Sequence, residues 1–531
     1  MKKKILPAAI IVGLIILILG IIGISSLIRK YTPTKETEDL NKYFNISSED
    51  ESALIVDNTV SDSKAKLIDG KIYVDYNFVH DSLNSRFYWD ANENVLLYTT
   101  AADIVSAAAD SSTYTVTKQA NDFGYPIVKA TSSSALIALD YVKQFSNITY
   151  KSYDKPSRTV ITTSWGKIET ASTAKSTQLR VKGGIKSPIL KQVKKGESLT
   201  ILEKGTKWDK AASKDGIVGY IKASTLSDIK TTELKNNDYT EEAFTHIKKD
   251  KDICLAWHQI TNKSSNSKVA NVISSTKGVN VMSPTWFYLN DNNGGLADLA
   301  SKDYVNYCHS QGIEVWGLFS NLENKNVDAA SVLTHTSTRT TLINQIMSAA
   351  FNYELDGVNI DFENITKEAY GDSYIEFIRE LAIKCHNNGI SLSVDVTVPA
   401  SYNKFFNRAD MANFADYVII MGYDEHYNGS DAGSVASLPW VTTGLNDTLK
   451  EVPADQVILG MPLYTRIWEL TPKDADNPVT DTADQSQYNI TSSVYGMDAA
   501  AAQVSGNNAT ASPDEETGQN YAEWNANNKL Y

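Results

Sequence analysis

The chain has 531 residues, 42% hydrophobic and 21% charged, with a formal net charge of −13. That length supports three or four domains and a large core. The acidic balance argues against nucleic acid as a partner, because such proteins present a basic footprint. Three cysteines and seven histidines are scattered along the chain without metal-ligand spacing, so no metal and no cofactor are expected. Cys254, Cys308 and Cys385 all fall in strand-helix segments and are expected to be small buried apolar residues.

Met1-Lys-Lys-Lys4 precedes an uncharged run from Ile5 to Ile28, closed by Arg29-Lys30. As a helix this run measures about 36 Å, enough for a hydrocarbon core of about 30 Å. A cleaved signal has a shorter apolar region, and Gly23-Ile-Ser-Ser26 is only a weak cleavage site. Residues 1–30 therefore read as a transmembrane signal anchor, with residues 31–531 outside the cytoplasm. Secretion after signal cleavage is the alternative. Residues 31–60 are polar and acidic and read as a short juxtamembrane stalk.

Within residues 61–166, the blocks Tyr73–Thr100 and Leu136–Thr163 resemble each other at an offset of about 63 positions. Each runs from a short strand through a helical turn and an aromatic turn to a final strand. The pattern is similar to the α+β stalk-type repeat of bacterial surface proteins, first named for amine oxidase N-terminal regions. Residues 175–228 carry short β-runs spaced by about eight to twelve residues, with Leu179-Arg-Val-Lys-Gly, Trp208 and Gly216-Ile-Val-Gly-Tyr220 among them. They resemble a bacterial Src-homology-3-like domain, often appended to enzymes acting on cell walls; a plain structural β-domain is an equal reading. Residues 229–250 are a charged linker.

From residue 250 onward, apolar strand-like runs alternate with helical segments. The strands are Ile253–Trp257, Val279–Phe287, Ile313–Phe319, Leu355–Phe362, Ile390–Val398, Tyr417–Met421 and Val457–Leu463. Asp298–Ser310, Thr338–Phe351, Tyr374–Asn388 and Thr443–Val452 read as helices. This alternation predicts parallel β/α units and, at this number, a (β/α)8 barrel over residues 250–531, with seven of eight strands legible.

The fourth strand carries Asp356-Gly-Val-Asn359-Ile-Asp361-Phe-Glu363. Period-two alternation puts Val358, Ile360 and Phe362 on one face and Asn359, Asp361 and Glu363 on the other. Two carboxylates then stand about 6–7 Å apart on the polar face. Burying such a row costs several kcal/mol per unpaired charge, which a strand without chemistry would not retain. The run resembles the fourth-strand signature D-x-x-[D/N]-x-D-x-E of glycoside hydrolase family 18, the chitinase-like enzymes. Met282-Ser-Pro-Thr-Trp286-Phe, Val315-Trp-Gly-Leu-Phe-Ser-Asn321, Met421-Gly-Tyr423-Asp424 and Gly460-Met-Pro-Leu-Tyr464-Thr-Arg466 each resemble a family segment at the matching strand. The nearest flavour is the cell-wall and spore-cortex glucosaminidase branch.

The resemblance implies substrate-assisted retaining catalysis, in which the sugar's own acetamido group is the nucleophile. Glu363 would be the general acid and base, Asp361 would orient the acetamido group and stabilise the oxazolinium, and Tyr423 would donate to the acetamido oxygen. Asp424, Tyr464 and Arg466 would line the cleft, with a structural ion pair equally open for Arg466. Asn359 departs from the Asp common at its position and cannot exchange a proton with Asp361. Asp356 reads as structural. Among Trp257, Trp286 and Trp316, core packing competes with sugar stacking, and Trp286 is kept as a subsite candidate. The family's eighth strand, with its Trp, has no counterpart here and is expected beyond Tyr531, the polar stretch from Trp468 resembling an insertion before it.

The expectation is a membrane-tethered hydrolase of β-1,4-linked N-acetylglucosamine polymers, peptidoglycan rather than chitin, working against the bacterial cell wall. A non-catalytic carbohydrate-binding stalk protein is the alternative.

Overall fold

The computed structural model describes residues 5–474 and 484–531; the lysine flank Met1-Lys-Lys-Lys4 and part of the polar C-terminal stretch lie outside the described residues. Ile5–Tyr31 forms one 27-residue helix ending on Arg29 and Lys30. None of its apolar window is buried against protein. It is therefore no core helix, and by length and composition it suits a bilayer.

Two compact units follow. The first comprises residues 1–87, 107–113 and 122–241. Its first sheet has seven strands, in which Lys71–Asp75 and Ala135–Ala138 pair antiparallel. The two sequence blocks have the same order of elements. One runs Lys71–Asp75, helix Tyr76–Ser82, Phe87–Asp90 and Val95–Thr99. The other runs Ala135–Ala138, helix Leu139–Gln144, Thr149–Tyr153 and Arg158–Thr162.

The stalk reading of residues 31–60 needs correction. Glu51–Val56 and Thr59–Ile68 form a hairpin inside this sheet, with Ala53, Leu54 and Ile55 fully buried. Asp57 and Asn58 take φ of 46° and 67°, the left-handed pair that a two-residue turn between twisted strands requires. Their polarity belongs to the turn rather than to a spacer. A second sheet of seven strands spans Gly166 to Leu234. It reaches beyond the range predicted for a small β-domain, because Gly166–Thr173 pairs with Leu226–Leu234. The linker thus begins only after Leu234. Ala53 and Ile55 of the first sheet share a core with Leu179, Leu190, Leu199 and Ile221 of the second.

The second unit comprises residues 88–106, 114–121 and 242–531. Its centre is a parallel sheet in sequence order: β1 Leu255–His258, β2 Val281–Leu289, β3 Glu314–Ser320, β4 Gly357–Asp361, β5 Ser391–Thr397, β6 Tyr417–Met421 and β7 Val457–Gly460. The crossovers carry helices α1 Val269–Ser274, α2 Lys302–Ser310, α3 Thr336–Tyr353, α4 Lys367–His386, α5 Arg408–Phe414 and α6 Leu438–Thr448. All seven expected barrel strands are present, within a few residues at each end. The seventh is shorter than predicted. It stops at Gly460, and the chain turns into an antiparallel hairpin of Tyr464–Pro472 with Tyr488–Gly496.

Alternation along the strands builds two layers. Val358, Ile360, Leu392, Val394, Val418 and Ile420 face outward into a core shared with the helices. The inner layer is apolar only at the N-terminal ends of the strands. There Val281, Trp316 and Tyr417 pack together, the Trp316 and Tyr417 rings stacked 5.5 Å apart. A Cβ at residue 357 would lie 2.6 Å from the Trp316 ring, so glycine is required for that plug. Cys308 and Cys385 are buried as expected, but Cys254 is exposed. It precedes β1 at the edge of the sheet, where no helix covers it.

Between α3 and α4 the packing is ionic. Fully buried Arg339 donates through Nε to Glu380 at 2.9 Å and through Nη1 to the Leu333 carbonyl at 2.7 Å. Its guanidinium lies 5.0 Å from the Tyr88 ring centre. Burial pushes Glu380 up to about 7, opposed by Arg339. Removing one partner of such a pair leaves the other charge stranded in a low dielectric. Arg339→Met is expected to lower stability by about 3–5 kcal/mol in urea unfolding, whereas a loss below about 1 kcal/mol would mean that Glu380 is neutral in the folded protein.

Candidate active site

The polar face of β4 opens at its C-terminal end. Asn359 is buried and fully committed. Its Oδ1 accepts from Trp257 Nε1 at 3.0 Å and from Ser283 Oγ at 2.9 Å, and its Nδ2 donates to Asp395 at 2.8 Å. One residue thus ties β1, β2, β4 and β5 together beneath the site. Asp361 ends the strand with its Oδ1 buried and without a hydrogen-bond partner. Burial first, then the carboxylates of Glu363 and Glu323, push its acid up to about 7.

Glu363 lies two residues past Asp361, half-buried at the strand's mouth. Asn321, just beyond β3, holds its backbone from both sides, accepting from Glu363 N–H and donating to Glu363 C=O, each at 2.9 Å. The side chain is therefore aimed by a fixed backbone. Burial, with Asp424 and Glu323 nearby, raises its acid above the usual carboxylate range. A raised carboxyl favours the protonated form that a general acid requires.

Tyr423 follows β6 and is buried, its ring edge-on to Trp257 at 6.3 Å and to Tyr464 at 6.1 Å. Burial and the carboxylates of Asp395, Asp361 and Glu363 raise its phenol, which stays protonated and able to donate. Asp424 adopts φ of 60° and accepts from Tyr464 Oη at 2.7 Å and Arg466 Nη2 at 3.0 Å. Asp424, Tyr464 and Arg466 thus form one group beside the acids, and Arg466 makes the ion pair left open above.

Trp286 does not join them. It is 0% exposed, donates to Asn266 Oδ1 at 2.8 Å and packs edge-on to Tyr304 at 4.9 Å. The β2 side chains alternate, and Trp286 falls on the helix side of the sheet, so its subsite assignment is corrected to core. Trp257 is the aromatic residue that reaches the site, lying against Gly460, where an added Cβ would sit 3.0 Å from the ring. Asp356 binds Val315 N–H and His309 Nε2, each at 2.8 Å, at the opposite end of β4.

Sequence reasoning missed Asp395, Glu323, Asn321 and Ser283. A signal existed for the first. Ser391-Leu-Ser-Val-Asp395-Val-Thr alternates polar and apolar residues, so Asp395 shares the inward face of a buried strand. Glu323 is held by Ser320 Oγ at 2.5 Å, a short local bond after β3 that no periodicity announces. Among the described residues there is no group of His, Cys, Asp and Glu able to hold a metal ion.

Residues 297–530 match the family described as glycosyl hydrolases family 18. This stretch, just under half of the chain, is a domain of that family and contains β3 to β7 with Asp361, Glu363, Tyr423 and Asp424. The chain is 27% identical to the uncharacterized glycosylase YvbX of Bacillus subtilis (strain 168), over 34% of this chain and 55% of that protein. It is 25% identical to the cortical fragment-lytic enzyme of the same organism, over 34% of this chain and 43% of that protein. The spore cortex-lytic enzyme SleL of Bacillus cereus, a solved structure, aligns at 18% identity over 56% of this chain and 66% of that chain, with a TM-score of 0.44. The chain spans about half the length of the curated relatives it matches.

The elevated Asp361 acid has a stability consequence with a definite sign. Between about pH 4, where an unfolded Asp ionises, and pH 7, the folded protein binds more protons at this residue than the unfolded chain does. Stability attributable to Asp361 therefore falls as pH rises through that window. Asp361→Asn is expected to raise the Tm at pH 8 and to leave it unchanged at pH 4. Equal effects at both pH values would show that the folded carboxyl is not elevated.

Proposed function

We infer that this chain is a membrane-tethered, extracytoplasmic glycosidase that hydrolyses β-1,4 linkages of N-acetylglucosamine-containing glycans by substrate-assisted retaining catalysis, with peptidoglycan preferred to chitin. The carrying observation is the pairing of a backbone-clamped Glu363, its acid raised by burial, with Asp361, whose buried Oδ1 has no hydrogen-bond partner among the described residues. An unpaired buried acceptor beside a raised acid suits a substrate N–H group.

The chemistry on this reading follows from those positions. Glu363 passes its proton to the glycosidic oxygen as the acetamido oxygen bonds to the anomeric carbon. The leaving sugar departs as an alcohol, and an oxazolinium ion remains. Asp361 accepts from the acetamido N–H and balances the positive charge, while Tyr423 donates to the acetamido oxygen. The Glu363 carboxylate then takes a proton from water, whose oxygen attacks the anomeric carbon from the vacated side as the bond from that carbon to the acetamido oxygen breaks and the acetamido group is restored. Two displacements at one carbon retain its configuration. The preference for peptidoglycan is supported by the relative named as a cortical fragment-lytic enzyme, and by an apolar helix that would hold the domain near a cell wall.

Glu363→Gln keeps the shape of the acid and loses its transferable proton. Turnover of an N-acetylglucosamine oligomer by this variant is expected to fall by about 10²–10⁴-fold or more, with binding largely kept. A thiazoline mimic of the intermediate should inhibit, and an oligomer lacking acetamido groups should be cleaved hardly at all. Equal cleavage of acetylated and non-acetylated substrates would instead make a protein carboxylate the nucleophile, and binding by the unmodified chain without turnover would make it a carbohydrate-binding protein.

The tether has its own test. Protease added to intact cells should digest the chain beyond about residue 31 while an N-terminal tag stays protected. A full-length product in the soluble cytoplasmic fraction would rule the tether out.

A further inference from the structure

The inner face of the sheet holds a second buried carboxylate that the mechanism above does not use. Asp395 is 2% exposed and sits one strand away from Asp361. The β4–β5 ladder pairs Asn359 with Ser393 and Ile360 with Val394, which puts Asp361 and Asp395 side by side across strands about 4.8 Å apart. Both project inward, because Asn359 on the same face of β4 donates directly to Asp395. Among the described residues no Lys or Arg pairs with either acid. Glu363 after β4 and Glu323 after β3 act on Asp361, and Asp361 and Glu363 act on Asp395. From α4, the Tyr374 hydroxyl is buried near both acids and has no hydrogen-bond partner.

Two like charges at this separation in a dry interior cannot both persist without a cation. Asn359 cannot resolve the conflict, because its amide is neutral and brings no positive charge. We propose that Asp361 and Asp395 hold a single proton between them, so that Asp395 is the positioning residue that sets the charge on Asp361. With the proton on Asp395, Asp361 is ionised toward the sugar. With it on Asp361, the negative charge retreats to the inner strand. The floor of the site carries one negative charge in either state, and no bond other than O–H changes. The strand position where Asp is common in the family, residue 359, holds a neutral amide here, and the proton acceptor stands on β5.

The proposal rests on the glycosidase reading only in its kinetic arm, and the titration needs no substrate. The full chain, labelled with 13C-carboxyl aspartate and held in detergent micelles, is titrated by NMR between pH 4 and 9. Asp361 and Asp395 should titrate in two linked steps, separated by more than about one pH unit. In Asp395→Asn the neighbouring negative charge is gone, so the Asp361 midpoint should fall by more than about one unit. If that variant does not fold, Asp361→Asn reports the same coupling through a lowered Asp395 midpoint. Independent single-step titrations, or a midpoint that does not move, would overturn the proposal. Kinetically, Asn359→Asp/Asp395→Asn returns a carboxylate to the residue two before Asp361. It should turn over an N-acetylglucosamine oligomer at least about tenfold faster than Asp395→Asn alone, with its pH profile restored toward that of the unmodified chain; tenfold corresponds to about 1.4 kcal/mol of barrier. A double variant no faster than the single one would mean that Asp395 serves packing alone. No turnover by the unmodified chain would remove the glycosidase reading, and the titration would still decide the proton.

Discussion

A row of acidic side chains is held on the inward face of a parallel sheet with no balancing cation among the described residues, and much of the second unit serves to make that arrangement tolerable. Asp361, Asp395, Glu363 and Glu323 crowd the C-terminal ends of β3 to β5. In water such a group would ionise and disperse. Here the outward layer of Val358, Ile360, Leu392 and Val394 is locked into the helices, so the strands cannot rotate the acids to solvent. Burial and the neighbouring carboxylates instead raise the acids of Asp361, Glu363 and Asp395 above the usual carboxylate range.

Neutral donors do the rest of the holding. Asn359 ties four strands together, and Asn321 grips the Glu363 backbone from both sides. Neither residue brings positive charge near the acids, and the Asn359 hydrogen bond lowers Asp395 only against the larger effect of burial. At the mouth, Arg466 pairs with Asp424. Buried cations do occur elsewhere in this unit, between α3, α4 and α5, where Arg339 and Arg379 meet Glu380, Glu376 and Asp410. There the paired charges hold helices together. At the strand ends Asp361 Oδ1 has no hydrogen-bond partner among the described residues.

The first unit illustrates how a polar composition can mislead. Residues 31–60 read as a stalk because they are polar and acidic, Asp57 and Asn58 among them. The turn they make is what lets Ala53, Leu54 and Ile55 enter a core. Block similarity proved the safer guide, since the strand, helix and strand pair recur in order at both blocks.

What the sequence determined by itself was the periodic part. Seven strands, helices between them and the inward face of β4 follow from alternation and spacing, while the grouping of Asp361 and Glu363 with Tyr423 and Asp424 was implied by the family resemblance of their motifs. Those signals are local, each carried by residues within one strand or its following loop. Tertiary structure decided whatever depends on which strands are neighbours. It set Asp395 beside Asp361 through the β4–β5 register, brought Trp257 rather than Trp286 to the site, and gave Arg466 to Asp424 across some forty residues of chain. The physical reason is that burial and like-charge coupling are properties of a place rather than of a residue. A strand's face can be read from its own sequence, but the environment across from it is supplied by other strands.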